Sequence, residues 1–287
     1  MPPAFGEGPA MIKDIVLHLS ADAKHDVAVK YAVSVAEAFG ANLAAVTFAY
    51  EAVLPATLMG GGLPVDFINE QRLLAEEAAN AAMTRLKEMA RRSGVAVEAR
   101  LETTSLAGAA DIFGHLARRF DLSIVGQANP DVVGPQELII EAALFQSGRP
   151  VVVVPYIQKT GLTLNRVLVC WDGGRQAARA IADALPFLHR AKAVEVVVVA
   201  TKPVKSDDSS GADIARHLAH HDLNVCLKRL VTGGTDVANT ILSYAADVSA
   251  DFVVMGGYGH SRLREFILGG ATRGVLSSMT IPTLMSH

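Results

Sequence analysis

The feature that most constrains the fold is an internal repeat. Residues 13–20, KDIVLHLS, match residues 165–172, NRVLVCWD, and each stretch precedes a segment with helical periodicity. Further strand-like and helix-like stretches follow in the same order in both halves. Short apolar runs that alternate with helical periods are typical of βαβ units, whose strands run parallel in one sheet. The sequence therefore predicts an α/β protein with two doubly wound domains in tandem, each with about five strands.

The two halves are joined by a short polar connector, YIQKTGLTLN. A boundary there gives a first domain of residues 1–158 and a second of residues 159–287, and 287 residues suit two domains of ordinary size. The first half alone inserts a Gly/Pro-rich loop, residues 53–64, and then a long helix predicted over residues 65–92. We interpret the loop as a surface excursion, with a lid over a binding site as the alternative.

Charge and hydropathy exclude several classes of function. The formal net charge of −3 argues against a nucleic-acid surface and against a polybasic membrane patch. Apolar runs stay shorter than a membrane span, and residues 1–11 lack the pattern of a secretory signal. Cys170 and Cys226 lie in apolar strand-like runs and are predicted to be buried thiols in a reducing compartment. These features predict a cytoplasmic protein that binds neither nucleic acid nor membrane.

An acidic residue and two glycine clusters stand where strands of the second half should end. Asp172 follows the first strand of that half, and its carboxylate can accept hydrogen bonds from a ribose or an amino group. Residues 256–259, GGYG, follow the fourth strand, where missing Cβ atoms let backbone amides approach an anion. Gly269 and Gly270 precede the last helix, whose free N–H groups favour phosphate. The arrangement predicts a phosphate cradle, and tight turns are the alternative explanation of the glycines.

This combination resembles the universal stress protein family, whose domains are doubly wound five-stranded α/β units. Nucleotide-binding members carry Gly-x2-Gly-x9-Gly-[Ser/Thr] after the fourth strand, which Gly256, Gly259 and Gly269 match. Gly270 departs from the pattern because the family has a hydroxyl residue there, although the backbone N–H is kept. Asp172 matches the family's acidic residue, which would hold the ribose or adenine. The resemblance covers nearly the whole chain.

The resemblance implies a regulatory or stress-response protein that binds ATP, or the related ADP or AMP, in its second domain, with Mg²⁺ accompanying the nucleotide. Trp171 would border the base, and an ordinary core position is the alternative. Arg262, Arg264 and Arg273 either neutralise phosphates or lie on the surface. The predicted nucleotide-binding residues are Trp171, Asp172, Met255, Gly256, Gly257, Gly259, His260, Gly269, Gly270, Ala271 and Thr272.

The first half lacks this chemistry. Aligning the repeats places Ser20 opposite Asp172, so the acidic residue is missing. Counting back from the last strands places Glu137 opposite Gly269. A carboxylate there would repel a triphosphate at close range. The first half is therefore predicted to be a degenerate domain without nucleotide, which pairs with the other half or receives a protein partner.

Other candidate sites point to no definite chemistry. His217, His220 and His221 could share one helix face as a metal site, but a solvated face is the preferred interpretation, so no metal is predicted. His18 is interpreted as a core histidine whose ring nitrogens are satisfied. The sequence has no Ser-His-Asp or Cys-His signature and no positioned base for attack of water on a phosphate. We predict no catalytic residues; a nucleotide-free interaction module and a slow ATP hydrolase are the alternatives.

Each half ends in an apolar strand that would lie at an edge of its sheet, and a bare apolar edge invites pairing. Members of the family pair their last strands across a two-fold axis, and a tandem chain can do so internally. We expect residues 151–154 to run antiparallel to residues 283–286, which would make the chain a pseudo-dimer. The helix over residues 65–92 leaves a further surface on which a homodimer could form.

Overall fold

The computed structural model describes residues 11–22, 27–50, 65–128, 134–201, 211–258 and 270–287. Two compact domains are found within them. The first runs from Lys13 to Leu162, and the second comprises Thr163–His287 with the described residues that precede Lys13. Of the helices in these ranges, none combines the length and the apolar character that a bilayer span requires. The predicted loop at residues 53–64 lies outside the described residues.

The first domain is a parallel sheet with helices between its strands. Its strands lie in the order β3-β2-β1-β4-β5, and every neighbouring pair is parallel. The long helix predicted over residues 65–92 is confirmed. In chain order the described elements are β1 (Asp14–His18), α1 (Val27–Phe39), β2 (Asn42–Tyr50), α2 (Val65–Arg92), β3 (Val97–Thr104), α3 (Leu106–Ala117), β4 (Leu122–Gly126), α4 (Gln136–Gln146) and β5 (Val151–Val154).

The second domain repeats the same topology. Its strands lie in the order β10-β9-β6-β7-β8, again parallel throughout. The predicted fold class, two doubly wound α/β domains with five-stranded parallel sheets, is confirmed. The described elements are β6 (Arg166–Cys170), α5 (Arg175–Leu188), β7 (Ala193–Ala200), α6 (Ala212–Ala219), β8 (Val225–Val231), α7 (Val237–Asp247), β9 (Phe252–Gly256), α8 (Ala271–Ser278) and β10 (Thr283–Ser286).

Strand composition follows strand position in each sheet. The central strands are nearly continuous apolar runs; in β1, for example, Ile15, Val16 and Leu17 are fully buried. A parallel strand covered on both faces needs apolar side chains on both faces. The edge strands β3 and β8 instead alternate between half-buried and exposed residues. The helices therefore cover the middle of each sheet, and the core lies there.

The prediction that both cysteines are buried is wrong for Cys226. Its residue is exposed because it lies on the edge strand β8, where alternate side chains face solvent. Cys170, at the end of the central strand β6, is half-buried. Desolvation by burial, helped by the charge of Asp172, raises the pKa of the Cys170 thiol to about 12. Cys170 is therefore less accessible than Cys226, and its own thiol is less acidic than an ordinary cysteine.

The repeat extends to the hydrogen bonds that begin each sheet. Asp121 Oδ2, just before β4, accepts from the backbone amides of residues 13 and 14, at 2.9 and 3.1 Å. Asp251, just before β9, accepts in the same way from the amides of residues 165 and 166, at 3.0 and 3.1 Å. Each carboxylate thus ties the first strand of its domain to the fourth. These two strands end at the edge where the candidate sites lie.

Candidate functional site

The candidate site of the second domain lies where β6 and β9 end. The two strands are parallel neighbours, with Val169 opposite Val254. The strand order reverses between them, since β7 and β8 lie beyond β6 whereas β10 lies beyond β9. Asp172 comes two residues after β6, and Gly256 is the last residue of β9. Both therefore stand at the reversal point, where open α/β sheets bind ligands.

Asp172 lies in a tight turn between β6 and α5. Its Oδ1 accepts a hydrogen bond from Gly174 N at 2.8 Å, and Gly173 has a φ of 77° that favours glycine. The residue is exposed, and its second carboxylate oxygen makes no hydrogen bond within the part of the chain that the structure describes. Trp171 beside it is half-buried, and its amide donates to Val197 O at 2.8 Å. A carboxylate oxygen is therefore open to solvent beside an aromatic ring.

Gly256 has a packing role that the sequence did not indicate. A Cβ atom there would lie 2.6 Å from Ala177 N and 2.7 Å from Gln176 C, both in the backbone of α5. Glycine is thus needed because the first turn of α5 lies directly against the end of β9. The side of Gly256 that would carry a Cβ atom faces α5. The sequence pattern instead predicts room for an anion on this open side.

The segment after β9 is tied to the first turn of α8. Tyr258 N donates to Thr272 Oγ1 at 3.0 Å across 14 residues of sequence. Tyr258 has a φ of 50°, a left-handed conformation that is uncommon outside glycine. Thr272 is buried, and its hydroxyl hydrogen has no acceptor among the described residues. A hydroxyl both accepts and donates, so Thr272 keeps a donor for a further partner.

At the start of α8 no side-chain cap is found among the described residues. Gly270 is the N-cap, has no side chain to satisfy the first-turn amides, and its carbonyl accepts from Gly274 N at 3.1 Å. Ala271 begins the helix, and Arg273 is exposed in its first turn. Free N–H groups at a helix start, with an arginine beside them, suit a phosphate.

The other predicted residues are either buried or outside the described residues. Met255 is buried within β9, and Gly257 is buried after it, with its amide bonded to Ser286 O at 2.8 Å. Five predicted residues lie outside the described residues: Gly259, His260, Arg262, Arg264 and Gly269.

The alignment of Ser20 with Asp172 has a structural counterpart. Ser20 Oγ accepts from Asp22 N at 3.3 Å, which is the same turn that Asp172 makes with Gly174. The inference drawn from Glu137 stays a prediction, because its counterpart Gly269 lies outside the described residues. Glu137 is an exposed residue in the first turn of α4, because this helix begins at Gln136, about one turn earlier relative to the following strand than α8 does.

A cleft in the first domain was missed by sequence reasoning. It lies at the carboxyl ends of β1, β4 and β5, and its cavity volume is about 30 Å³, close to that of a single water molecule. Among the described residues, the polar ones that line it are His18, Ser20, Gln127, Gln136 and Tyr156. The sequence signals are weak, since a histidine and two glutamines at strand and helix ends match no binding motif.

The histidine group at the end of α6 is largely open to solvent. His217 and His220 are exposed, and the rings of His217 and His221 lie 4.8 Å apart edge to face. Within the described ranges, no group of three or more His, Cys, Asp or Glu residues could hold a metal ion.

Comparisons with known proteins agree with this architecture. Residues 163–287 match the model of the Universal stress protein family. A comparison with curated proteins gives no match. Among solved structures, a universal stress protein from Archaeoglobus fulgidus DSM 4304 has a TM-score of 0.70 at 13% identity, with 95% of each chain covered.

Two Pseudomonas aeruginosa structures are also similar. A putative universal stress protein from strain UCBPP-PA14 has a TM-score of 0.58 at 16% identity, covering 96% of this chain and 93% of that one. A functionally unknown protein from strain PAO1 has a TM-score of 0.58 at 18% identity, covering 96% and 92%. At these identities the likeness concerns the fold. Residues 163–287 therefore match the universal stress protein family, and the chain as a whole has the fold of these solved structures.

Proposed function

We propose that the protein is a cytoplasmic stress-response or regulatory protein that binds ATP, or the related ADP or AMP, in its second domain. The observation that carries the proposal is the bond between Tyr258 N and Thr272 Oγ1. It joins the end of β9 to the uncapped first turn of α8, on the side of the sheet edge where Asp172 also lies. The cytoplasmic location rests on the sequence alone.

The chemistry of these groups divides between the two ends of a nucleotide. The open carboxylate oxygen of Asp172 suits a ribose hydroxyl or the adenine amino group, both of which donate hydrogen bonds. The amides at the start of α8, the Thr272 hydroxyl hydrogen and the exposed Arg273 suit phosphate oxygens. Mg²⁺ would arrive with the nucleotide and be held chiefly by its phosphates.

The first alternative is an interaction module without nucleotide. Two observations favour it: Gly256 is explained by packing against α5, and Gly270 lacks the hydroxyl of the motif. The second alternative is a slow ATP hydrolase. It has less support, because no general base for water attack can be named among the described residues.

Calorimetry with ATP and Mg²⁺ on the full chain separates the first two functions. We expect binding with a stoichiometry near one per chain. A stoichiometry near two would contradict the assignment of the first domain as nucleotide-free, and the absence of binding would favour the interaction module.

A matched pair of variants tests the role of Asp172. Asp172→Ser should abolish or strongly weaken ATP binding because it removes the carboxylate. The fold should survive, since Ser20 accepts the equivalent turn bond in the first domain. The control is Ser20→Ala, which should leave ATP affinity unchanged. If Asp172→Ser binds as tightly as the parent, the nucleotide does not use this carboxylate.

Phosphate release tests the hydrolase alternative. Release from ATP by the parent chain that disappears in Asp172→Ser would establish a hydrolase. Release that persists unchanged in this variant would identify a contaminating enzyme.

The internal pseudo-dimer expected from the sequence is also a proposal. Deleting residues 282–287 should expose the apolar edge at residues 151–154 and cause aggregation or new association, measured by size-exclusion chromatography with light scattering. A truncated chain that stays soluble, equally stable and in the same association state would contradict it. The parent chain in the same experiment reports whether homodimers form.

A further inference from the structure

The first turn of α5 contains a buried polar side chain that the proposed function leaves unused. Gln176 follows Asp172 by four residues, and only 4% of it is exposed. Its carboxamide makes no hydrogen bond with any residue that the structure describes. Since buried polar groups are almost always paired, this carboxamide calls for a partner.

The other buried polar residues that the structure describes in the second domain each make a hydrogen bond. Glu195 accepts from Tyr244 at 2.7 Å, Thr272 accepts from Tyr258 N at 3.0 Å, Thr283 donates to Ile281 O at 3.1 Å, and Ser286 donates to Asp183 at 2.9 Å. Gln176 differs from all of them. Its position at the candidate site therefore needs an explanation that general packing of the domain does not give.

Gln176 lies on the side of α5 that faces the sheet, at the carboxyl end of β9. The buried residues of α5 recur every three or four positions, as Gln176, Ala180, Ala184 and Phe187. This stripe packs on β9, where Phe187 stacks on Phe252 with ring centroids 5.0 Å apart. A Cβ atom added to Gly256 would lie 2.9 Å from Gln176 Cβ. The carboxamide therefore belongs to the region where β9 ends, and not to the solvent face of the helix.

The first domain has an apolar residue at the corresponding position. Cβ atoms added to the paired glycines Gly126 and Gly256 would have their nearest atoms in Ala28 and Ala177. The residue before Ala28 is Val27, which cannot form a hydrogen bond through its side chain. The buried carboxamide thus occurs in the domain to which we assign the nucleotide.

A nucleotide bound as proposed would pass this carboxamide with its ribose. Its base end would lie near Asp172, after β6, and its phosphates near Thr272, which is bonded to Tyr258 just after the end of β9. Gln176 meets Gly256 between these two groups. Ribose is the part of a nucleotide that lies between the base and the phosphates.

The chemistry of a carboxamide also favours ribose over phosphate. It offers one oxygen acceptor and two N–H donors. Phosphate oxygens only accept, so they would leave the buried carboxamide oxygen unpaired. A hydroxyl both donates and accepts, and two neighbouring hydroxyls can pair the oxygen and an N–H at the same time.

We propose that Gln176 binds the ribose hydroxyls and makes the second domain selective for ribonucleotides over deoxyribonucleotides. This inference rests on the proposed function. A deoxyribonucleotide would leave the buried carboxamide with an unpaired group, so it should bind at least about tenfold more weakly.

Calorimetry on the full chain with ATP, 2′-deoxyATP and 3′-deoxyATP, each with Mg²⁺, tests the selectivity. The parent should bind at least one of the two deoxy analogues at least about tenfold more weakly than ATP. Gln176→Met, which keeps the length of the side chain without its hydrogen-bonding groups, should bind all three equally. Thr272→Val is the matched control at the phosphate end: it should weaken binding of all three together and keep the parent's ratio.

Stability without nucleotide provides a second measurement. Replacing an unpaired buried amide by an apolar group of similar shape is neutral or stabilising. Gln176→Met should therefore unfold at the same or a higher urea concentration than the parent, as followed by Trp171 fluorescence. A lower midpoint would show that the carboxamide is paired within the chain, and it would overturn the proposal.

The outcomes separate this proposal from the proposed function. If the parent binds ATP and both deoxy analogues equally, or if Gln176→Met keeps the parent's ratio, the role of Gln176 is overturned while ATP binding stands. If the parent binds none of the three nucleotides, the proposed function fails and the role of Gln176 fails with it.

Discussion

Replacing Gly256 by alanine tests the close contact between β9 and α5. The added Cβ would lie 2.6 Å from Ala177 N, where ordinary contact begins at 3.4 Å, so the start of α5 must retreat by about 0.8 Å. The opposing atoms are backbone, and a rotamer change cannot relieve them. Overpacking of this kind costs about 1 to 3 kcal/mol, and we expect the upper half of that range.

The internal repeat provides the matched control. Gly126 ends β4 as Gly256 ends β9, yet its added Cβ would meet only Ala28 Cβ, at 3.7 Å. Gly126→Ala should therefore leave stability unchanged or raise it by about 0.4 to 1 kcal/mol, since alanine restricts the unfolded chain.

Urea unfolding measures the difference. Trp171 is the single tryptophan and belongs to the second domain, so its fluorescence reports unfolding there. Gly256→Ala should lower the midpoint without changing the slope. Hydrogen exchange of peptides from α5 should accelerate in this variant and stay unchanged in Gly126→Ala. If Gly256→Ala unfolds at the same urea concentration as the parent, the contact does not exist as described.

Four further outcomes follow from the structure. His18 is protonated near pH 6.5 in the unfolded chain but only near pH 4 in the folded chain. The free energy of unfolding of the first domain should therefore fall by about 3 kcal/mol as the pH drops from 6.5 to 4. Urea titrations at several pH values should show a flatter dependence for His18→Phe. Cys226 should react with a thiol reagent at pH 8 well before Cys170, and equal rates would contradict the burial and the raised pKa of Cys170. Thr272→Val should weaken ATP binding about tenfold while Thr272→Ser stays near the parent by calorimetry, since only the hydroxyl is lost. Asp251→Ala should cost about 1 to 3 kcal/mol in urea because two backbone amides lose their acceptor, and an unchanged midpoint would refute that role.

The sequence was sufficient for the architecture because its signals are local and written twice. Alternation of apolar runs with helical periods sets the order of elements, and continuous apolar runs mark strands covered on both faces. The helix over residues 65–92 was predicted correctly for the same reason: its periodicity does not depend on what packs against it. Asp172 and Gly256 were predicted to lie at one edge because parallel strands end together.

The apolar pattern of a segment does not say which strand lies at an edge of the sheet or how closely two elements approach. Tertiary structure decided both. Cys226 is exposed because β8 has a neighbour on one side only. Gly256 serves packing because α5 lies within contact distance of β9, and Glu137 lies in a helix because α4 begins a turn early. The end of β4 has more space at Gly126 than the end of β9 has at Gly256, and a difference in spacing between two elements leaves no pattern in either sequence segment.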